Sequence, residues 1–239
     1  MIVASNFKTN HTRKSTAAYI EAVKTFIAQS GTVQEVRIYP PLTALDVVDV
    51  PLHVKVGAQN FYPTINGSFT GEVGADQLNE FGVHSVLIGH SERRHILGES
   101  QEEVAKKFAF AVEQGWEIVY CVGEPKSVRE QGLDAVMGYV WTQFDGIDMN
   151  YDKLIVAYEP VWAIGTGLTA SLEDIEQTHG RIREKISAPI LYGGSVKVAN
   201  AQEVMCVPNC DGVLVGTASW KVEDFCEMIR AADAALTCK

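Results

Sequence analysis

Glu159 closes the apolar run Leu154 to Tyr158 and is followed at once by Pro160, Val161, Trp162, Ala163, Ile164, Gly165, Thr166 and Gly167. A run of that composition reads as a buried parallel strand, so Glu159 is expected to project from its C-terminal end, where α/β folds place their chemistry. Pro160 stops the strand. Gly165 and Gly167 permit backbone angles closed to other residues, and Trp162 and Ile164 give the loop apolar weight that can settle over a pocket. The expectation is a carboxylate base beneath a lid running from Pro160 to Gly167. Taken alone, the same stretch also fits an ordinary βα loop carrying a solvated carboxylate.

Further polar and glycine residues follow other apolar runs. Asn6 and Lys8 follow Ile2 to Ser5, Gln59 and Asn60 follow Val54 to Ala58, and Gly89 and His90 follow Ser85 to Ile88. Gly193 and Gly194 follow Ile190 to Tyr192, and Gly216 follows Val213 to Val215. If the strands are parallel, these ends share one rim and converge on one pocket. Singly, each has a plainer reading as a surface cation, a histidine at a helix start, or a tight turn.

The elements that must position these residues repeat along the chain. With Val36 to Tyr39 and Ile118 to Cys121, the strand-like runs number eight. Helical periodicity follows most of them: Tyr19, Val23, Phe26 and Ile27 share one face, and Val104, Phe108 and Val112 recur every four residues before Gly115. Ser100 with Glu103, and Ser171 with Asp174, have the spacing of capping boxes and mark helix starts. Eight strands separated mainly by helices in 239 residues give about 30 residues per unit, the size of βαβ crossovers. The fold expected is α/β, a single (β/α)8 barrel forming one domain over residues 1–239.

Composition narrows the function classes. The hydrophobic content of 46% supports a large core, and 20 basic against 30 acidic residues give a formal charge of −10, which disfavours nucleic acid and anionic membrane as partners. An anionic substrate would have to be received by local donors. The chain opens on a strand-like segment without a signal core and has no apolar run near 20 residues, so a cytoplasmic location is expected. Five cysteines do not suggest a disulfide framework in a chain of this size, and Cys206 and Cys210 lack the partners of a metal site. Cys206 and Cys210 are expected to be structural thiols.

Six motifs in order along essentially the whole chain resemble the triosephosphate isomerase family. They are Asn6-Phe7-Lys8; Gly57-Ala58-Gln59-Asn60; Ile88-Gly89-His90-Ser91-Glu92-Arg93-Arg94; Ala157 through Gly167; Tyr192-Gly193-Gly194-Ser195-Val196; and Gly212 through Ser219. The resemblance implies a TIM barrel that interconverts dihydroxyacetone phosphate and glyceraldehyde 3-phosphate through an enediol or enediolate. It assigns Glu159 as the base and His90 as a neutral electrophile; Lys8 supplies positive potential, Asn6 orients the pocket and Glu92 supports the charged network. Backbone N–H groups of Gly165, Ser195, Gly216 and Thr217 are implied to hold the phosphate. No metal or organic cofactor is implied. The loop Phe69, Thr70, Gly71 and Glu72 resembles the family's interdigitating loop, which implies a homodimer.

Three positions depart from the family pattern: Phe7 stands where Trp is common, Leu168 where Lys is common, and Thr217 where a second glycine is usual. Thr217 bears on phosphate geometry, because a β-branched residue restricts the backbone. Two other readings stay open at this stage. A Schiff-base aldolase using Lys8 would be revealed by imine trapping, and a catalytically silent binding protein on an isomerase scaffold by an absence of turnover.

Overall fold

Runs rich in Val, Ile and Leu with no polar alternation can be strands only where both faces are covered, and a parallel sheet wrapped by helices covers both. A computed structural model describes residues 1–164 and 169–238. The expectations placed on Gly165, Thr166, Gly167 and Leu168 therefore lie outside the described residues. Eight strands are present among the described residues: β1 (Ile2–Asn6), β2 (Glu35–Tyr39), β3 (Val54–Val56), β4 (Ser85–Ile88), β5 (Glu117–Val122), β6 (Leu154–Tyr158), β7 (Ile190–Tyr192) and β8 (Gly212–Val215). They form one parallel sheet in the order β3-β2-β1-β8-β7-β6-β5-β4. A bridge between Ala58 and Val86 brings its two edges together and closes the barrel.

β3 is shorter than the expected Val54 to Ala58. Beyond Val56 the chain stays tied to both neighbours, since the Gly57 N–H donates to the Ile38 carbonyl and the Ala58 N–H to the Ser85 carbonyl, each at 2.9 Å; the Tyr39 ring and the Ser85 carbonyl leave no space for a Cβ at Gly57. The connection from β2 to β3 also differs from the expected helix. It holds a 3-10 turn at Leu42–Ala44 and then irregular chain. The sequence Asp46-Val47-Val48-Asp49-Val50-Pro51 explains this, since β-branched residues and proline are poor helix formers.

Elsewhere the helices begin where their caps predict. Ser100 accepts the Glu103 N–H before Gln101–Glu113, and Ser171 accepts the Asp174 N–H before Leu172–Arg183. Tyr19, Val23 and Ile27 are buried in the helix Arg13–Ser30, which Gly31 ends at φ 68°. One large apolar cluster lies between the helices and the barrel, and a smaller one, including Ala4, Tyr39, Leu87, Cys121, Ala157 and Leu214, fills the barrel interior.

At the N-terminal mouth, Arg37, Ser85 and Glu117 lie two positions before the interior residues Tyr39, Leu87 and Val119 of their strands and so face inward. Glu117 accepts from Arg37 Nε at 2.6 Å and Nη2 at 2.8 Å, from Lys55 Nζ at 2.6 Å and from Ser85 Oγ at 3.0 Å. Ser85 Oγ lies 2.8 Å from the Tyr39 hydroxyl, which continues this polar chain into the barrel.

One cysteine expectation is corrected. Cys206 is not a thiol but is joined by a disulfide to Cys238, near the C-terminus; Cys121, Cys210 and Cys226 are free and buried. The sequence separation of 32 concealed the pairing, which arises because the helix Val222–Ala235 folds back on Ala201–Cys206.

Candidate active site

The period-2 alternation that fills the barrel interior also delivers the functional side chains to its C-terminal mouth. Asn6 continues the inward series Ile2, Ala4; Glu159 continues Ile155, Ala157; Gly193 follows Leu191 and Gly216 follows Leu214. A cavity of about 400 Å³ opens at that mouth and is lined by Asn6, Lys8, His90, Glu159 and Ile164 on one side, and by Ser195, Gly216 and Thr217 on the other.

Lys8 takes a left-handed backbone, φ 52°, which is uncommon for a residue with a side chain. Asn6 Oδ1 holds that turn by accepting the Lys8 N–H at 2.9 Å, and the Gln59 amide donates to the Lys8 carbonyl at 2.9 Å. Gln59 thus braces the turn from outside the first cavity. The Lys8 ammonium pairs with Glu92 at 2.5 Å. Its stem passes over Gly216, where a Cβ would lie 3.0 Å from Lys8 Cε. A side chain there would press on the flexible end of the Lys8 stem.

His90 caps the helix Ser91–His95, and its Nδ1 accepts the Glu92 N–H at 3.2 Å. With Nδ1 accepting this N–H, Nε2 is the ring nitrogen placed to donate. Nε2 lies 3.2 Å from Glu159 Oε1. Glu159 is 2% exposed, and its other oxygen accepts the Ser91 N–H at 2.9 Å. Gly193 leaves room for the carboxylate, since a Cβ would lie 2.8 Å from Glu159 Cγ. Burial, and then the negative charge of Glu159, push the Cys121 thiol up, keeping it protonated beneath that carboxylate.

The start of the loop after Glu159 is tied down on two sides. Trp162 Nε1 donates to Glu124 Oε1 at 2.9 Å, and the Tyr158 hydroxyl reaches the same carboxylate at 3.0 Å. Burial raises the Glu124 pKa, opposed by the hydrogen bond from Trp162. Ser195 Oγ donates to the Ala163 carbonyl.

Thr217 begins a 3-10 turn, Thr217–Ser219, and is absent from the positive-φ residues, which among the described non-glycine positions are Lys8, His11 and Asn209. A β-branched residue fits this turn without strain. Phe69, Thr70, Gly71 and Glu72 form an exposed turn outside the cavity, with Phe69 stacked on Tyr62 at 4.4 Å between centroids. Sequence reasoning missed Ser91, Cys121, Glu124 and Lys197, which also lines the cavity. Ser91 was legible within its motif, and Lys197 directly follows the Tyr192 to Val196 motif; Cys121 and Glu124 reach the site across strands, and no local spacing marks them.

The profile of the triosephosphate isomerase family matches residues 1–232. This chain belongs to the triosephosphate isomerase family. It is 53% identical over 232 residues to the triosephosphate isomerase of Sulfurimonas denitrificans, covering 97% of this chain and 96% of that one. It is 50% identical over 230 residues to the triosephosphate isomerase of Wolinella succinogenes, covering 96% and 99%. With the triosephosphate isomerase of Sulfurovum sp. it shares 53% over 231 residues, covering 97% and 100%. Within this triosephosphate isomerase family frame, Phe7 is fully buried in place of the commoner Trp and packs against His11 at 4.4 Å and Tyr19 at 4.7 Å between centroids.

Proposed function

We propose that this pocket interconverts dihydroxyacetone phosphate and glyceraldehyde 3-phosphate by proton transfer, with Glu159 as the base. The observation that carries the reading is a buried carboxylate at the barrel mouth flanked by the His90 imidazole Nε2 and, across the cavity, by the Lys8 ammonium. Substrate replaces the Glu159–His90 contact. Glu159 then takes a proton from the hydroxyl-bearing carbon next to the carbonyl, and the electron pair moves onto the carbonyl oxygen. His90 Nε2–H and Lys8 stabilise that oxygen, and Asn6 orients the polar pocket while Glu92 holds Lys8 in place. Protons exchange between the two substrate oxygens through His90. Glu159 returns its proton to the former carbonyl carbon, which completes an isomerisation with no net change in composition.

The phosphate is received by backbone N–H groups of Ser195, Gly216 and Thr217, with Gly165 added from the lid, so a chain of net charge −10 needs few cations to hold it. Closure of the Pro160 to Gly167 segment excludes water and keeps the enediolate from eliminating phosphate. The working unit is a homodimer in the cytoplasm. A second cavity of about 600 Å³ lies beside the first, shares Lys8 and His90 with it, and carries the exposed apolar residues Ile96 and Leu97; the Phe69 to Glu72 turn of a second copy is its occupant.

The deciding experiment is a coupled assay in both directions with Glu159→Asp alongside. Shortening the side chain moves the carboxylate by about one methylene, and misplacement near 1 Å costs roughly 10² in rate. Turnover should fall by about that factor with inhibition by inorganic phosphate unchanged. Near-normal turnover in the folded variant rejects Glu159 as the base.

A further inference from the structure

Backbone groups of a parallel strand turn alternately to its two neighbours. In β5 the Glu117 N–H reaches the His84 carbonyl on the β4 side, whereas the Ile118 N–H reaches Lys153 on the β6 side and the Val122 carbonyl receives the Glu159 N–H at 2.7 Å. By this alternation Gly123 faces β4. That strand ends at Ile88, which is paired with Tyr120, so there is no ladder partner for Gly123. Both of its buried backbone groups would be orphaned, a costly arrangement.

Gln143 supplies both partners. The Gly123 N–H donates to Gln143 Oε1 at 2.8 Å, and Gln143 Nε2 donates to the Gly123 carbonyl at 3.0 Å. Gln143 follows the helix Leu133–Thr142 and is 6% exposed. Its own carbonyl accepts from Gln101 Nε2 at 2.8 Å and from the Tyr120 hydroxyl, so its backbone is fixed as well. The other side of Gly123 is pressed on the catalytic strand end: a Cβ there would overlap the Glu159 carbonyl and approach Glu159 Cα to 3.2 Å. On either side of Gly123, Val122 and Glu124 accept the N–H groups of Glu159 and Val161, the latter at 3.1 Å.

We infer that Gln143 is a positioning residue for the isomerisation: its amide stands in for the missing length of β4 and, through Gly123, fixes the backbone from which Glu159 and the lid depart. This rests on Glu159 being the base. The role requires one donor and one acceptor side by side, which an amide provides, a carboxylate lacks and a protonated carboxyl restores.

The test uses full-length Gln143→Leu and Gln143→Glu, with Glu159→Asp as reference. For Gln143→Leu, kcat should fall about tenfold or more, by the cost of a displaced base, while inhibition by inorganic phosphate stays within about twofold. Gln143→Glu should approach wild-type kcat at acidic pH and lose activity relative to wild type as pH rises and the new carboxyl ionises. A folded Gln143→Leu enzyme with kcat within twofold of wild type overturns the inference, as does a matching loss of kcat and phosphate affinity. If Gln143→Leu does not fold, the Gln143→Glu profile decides: a constant ratio to wild type across pH overturns the role. Glu159→Asp impaired beside a normal Gln143→Leu rejects only the positioning; a normal Glu159→Asp rejects the base itself.

Discussion

Replacing Glu117 by Gln separates what holds the barrel together from what its mouth does. Burial pushes the Glu117 carboxyl pKa up, but hydrogen bonds and charge from Arg37, joined by Lys55, more than reverse this and hold it at about 2 against an ordinary 4.5. A carboxyl so lowered corresponds to about 3 kcal/mol of folding stability. Because its folded-state pKa lies below the unfolded value, that contribution is complete above pH 4.5 and is lost as pH falls toward 2. The side chain is 11% exposed, so solvent screens it little. In the Glu117→Gln variant the buried Arg37 keeps only Glu35, at 2.8 Å, as its carboxylate partner. Urea denaturation of wild type and Glu117→Gln, at one fixed protein concentration and from pH 7 to pH 3, should show a gap of about 3 kcal/mol at neutral pH that narrows below pH 4.5. Turnover of the folded variant at pH 7 should stay near wild type, since the ion cluster and the cavity lie at opposite mouths of the barrel. A gap under about 1 kcal/mol at pH 7, a gap that does not narrow on acidification, or a large loss of turnover would each refute this reasoning.

Thr70→Glu should shift the dimer toward monomer in sedimentation at low concentration and lower activity in parallel, because it buries an unpaired carboxylate at the proposed contact; a normal dimer with full activity rejects that interface. Thr217→Gly should leave calorimetric affinity for inorganic phosphate within about threefold and cost up to about 1 kcal/mol of stability through unfolded-chain freedom, as expected for an unstrained turn. Tenfold tighter binding would mean that Thr217 strains the loop. Cys238→Ser should lower stability by about 3 to 4 kcal/mol, the chain-entropy value for a closed loop of this size, with a separation of 32. Dithiothreitol should do the same to wild type and nothing further to the variant; equal stability of all three forms would show that the bridge does not constrain the unfolded chain.

The strands were legible because burial on both faces leaves continuous apolar runs: β4, β6 and β7 begin and end where those runs do. The ends that line the cavity were legible for a related reason. Asn6 and Glu159 lie in sequence just beyond their runs, so the same local reading that finds the strand finds the rim. Helix starts at Ser100 and Ser171 followed from contacts three residues apart. What the sequence concealed has the opposite character. The Arg37–Glu117 pair spans 80 positions and exists only because barrel closure sets β2 and β5 across one mouth. The Cys206–Cys238 bridge spans 32 and depends on how two helices pack. The β2–β3 connection lost its helix to β-branched residues and a proline that were readable in advance, but the periodicity of neighbouring gaps argued more strongly.

Gln143 marks the limit of local reading most clearly. Nothing in Trp141-Thr142-Gln143-Phe144 distinguishes it from a helix-end amide, and its partner Gly123 resembles any turn glycine. Its role arises from a difference in length between two strands: β4 ends at Ile88 while β5 runs on past Tyr120, and the surplus backbone must be satisfied by something. A barrel that places its base on a strand end therefore requires side chains from elsewhere to finish the ladder beneath that end. Residues that line the cavity are brought to the rim by short-range sequence, whereas a residue such as Gln143 that completes the backbone beneath them is set by the mismatch between neighbouring strands, and that mismatch is visible only once the sheet has closed.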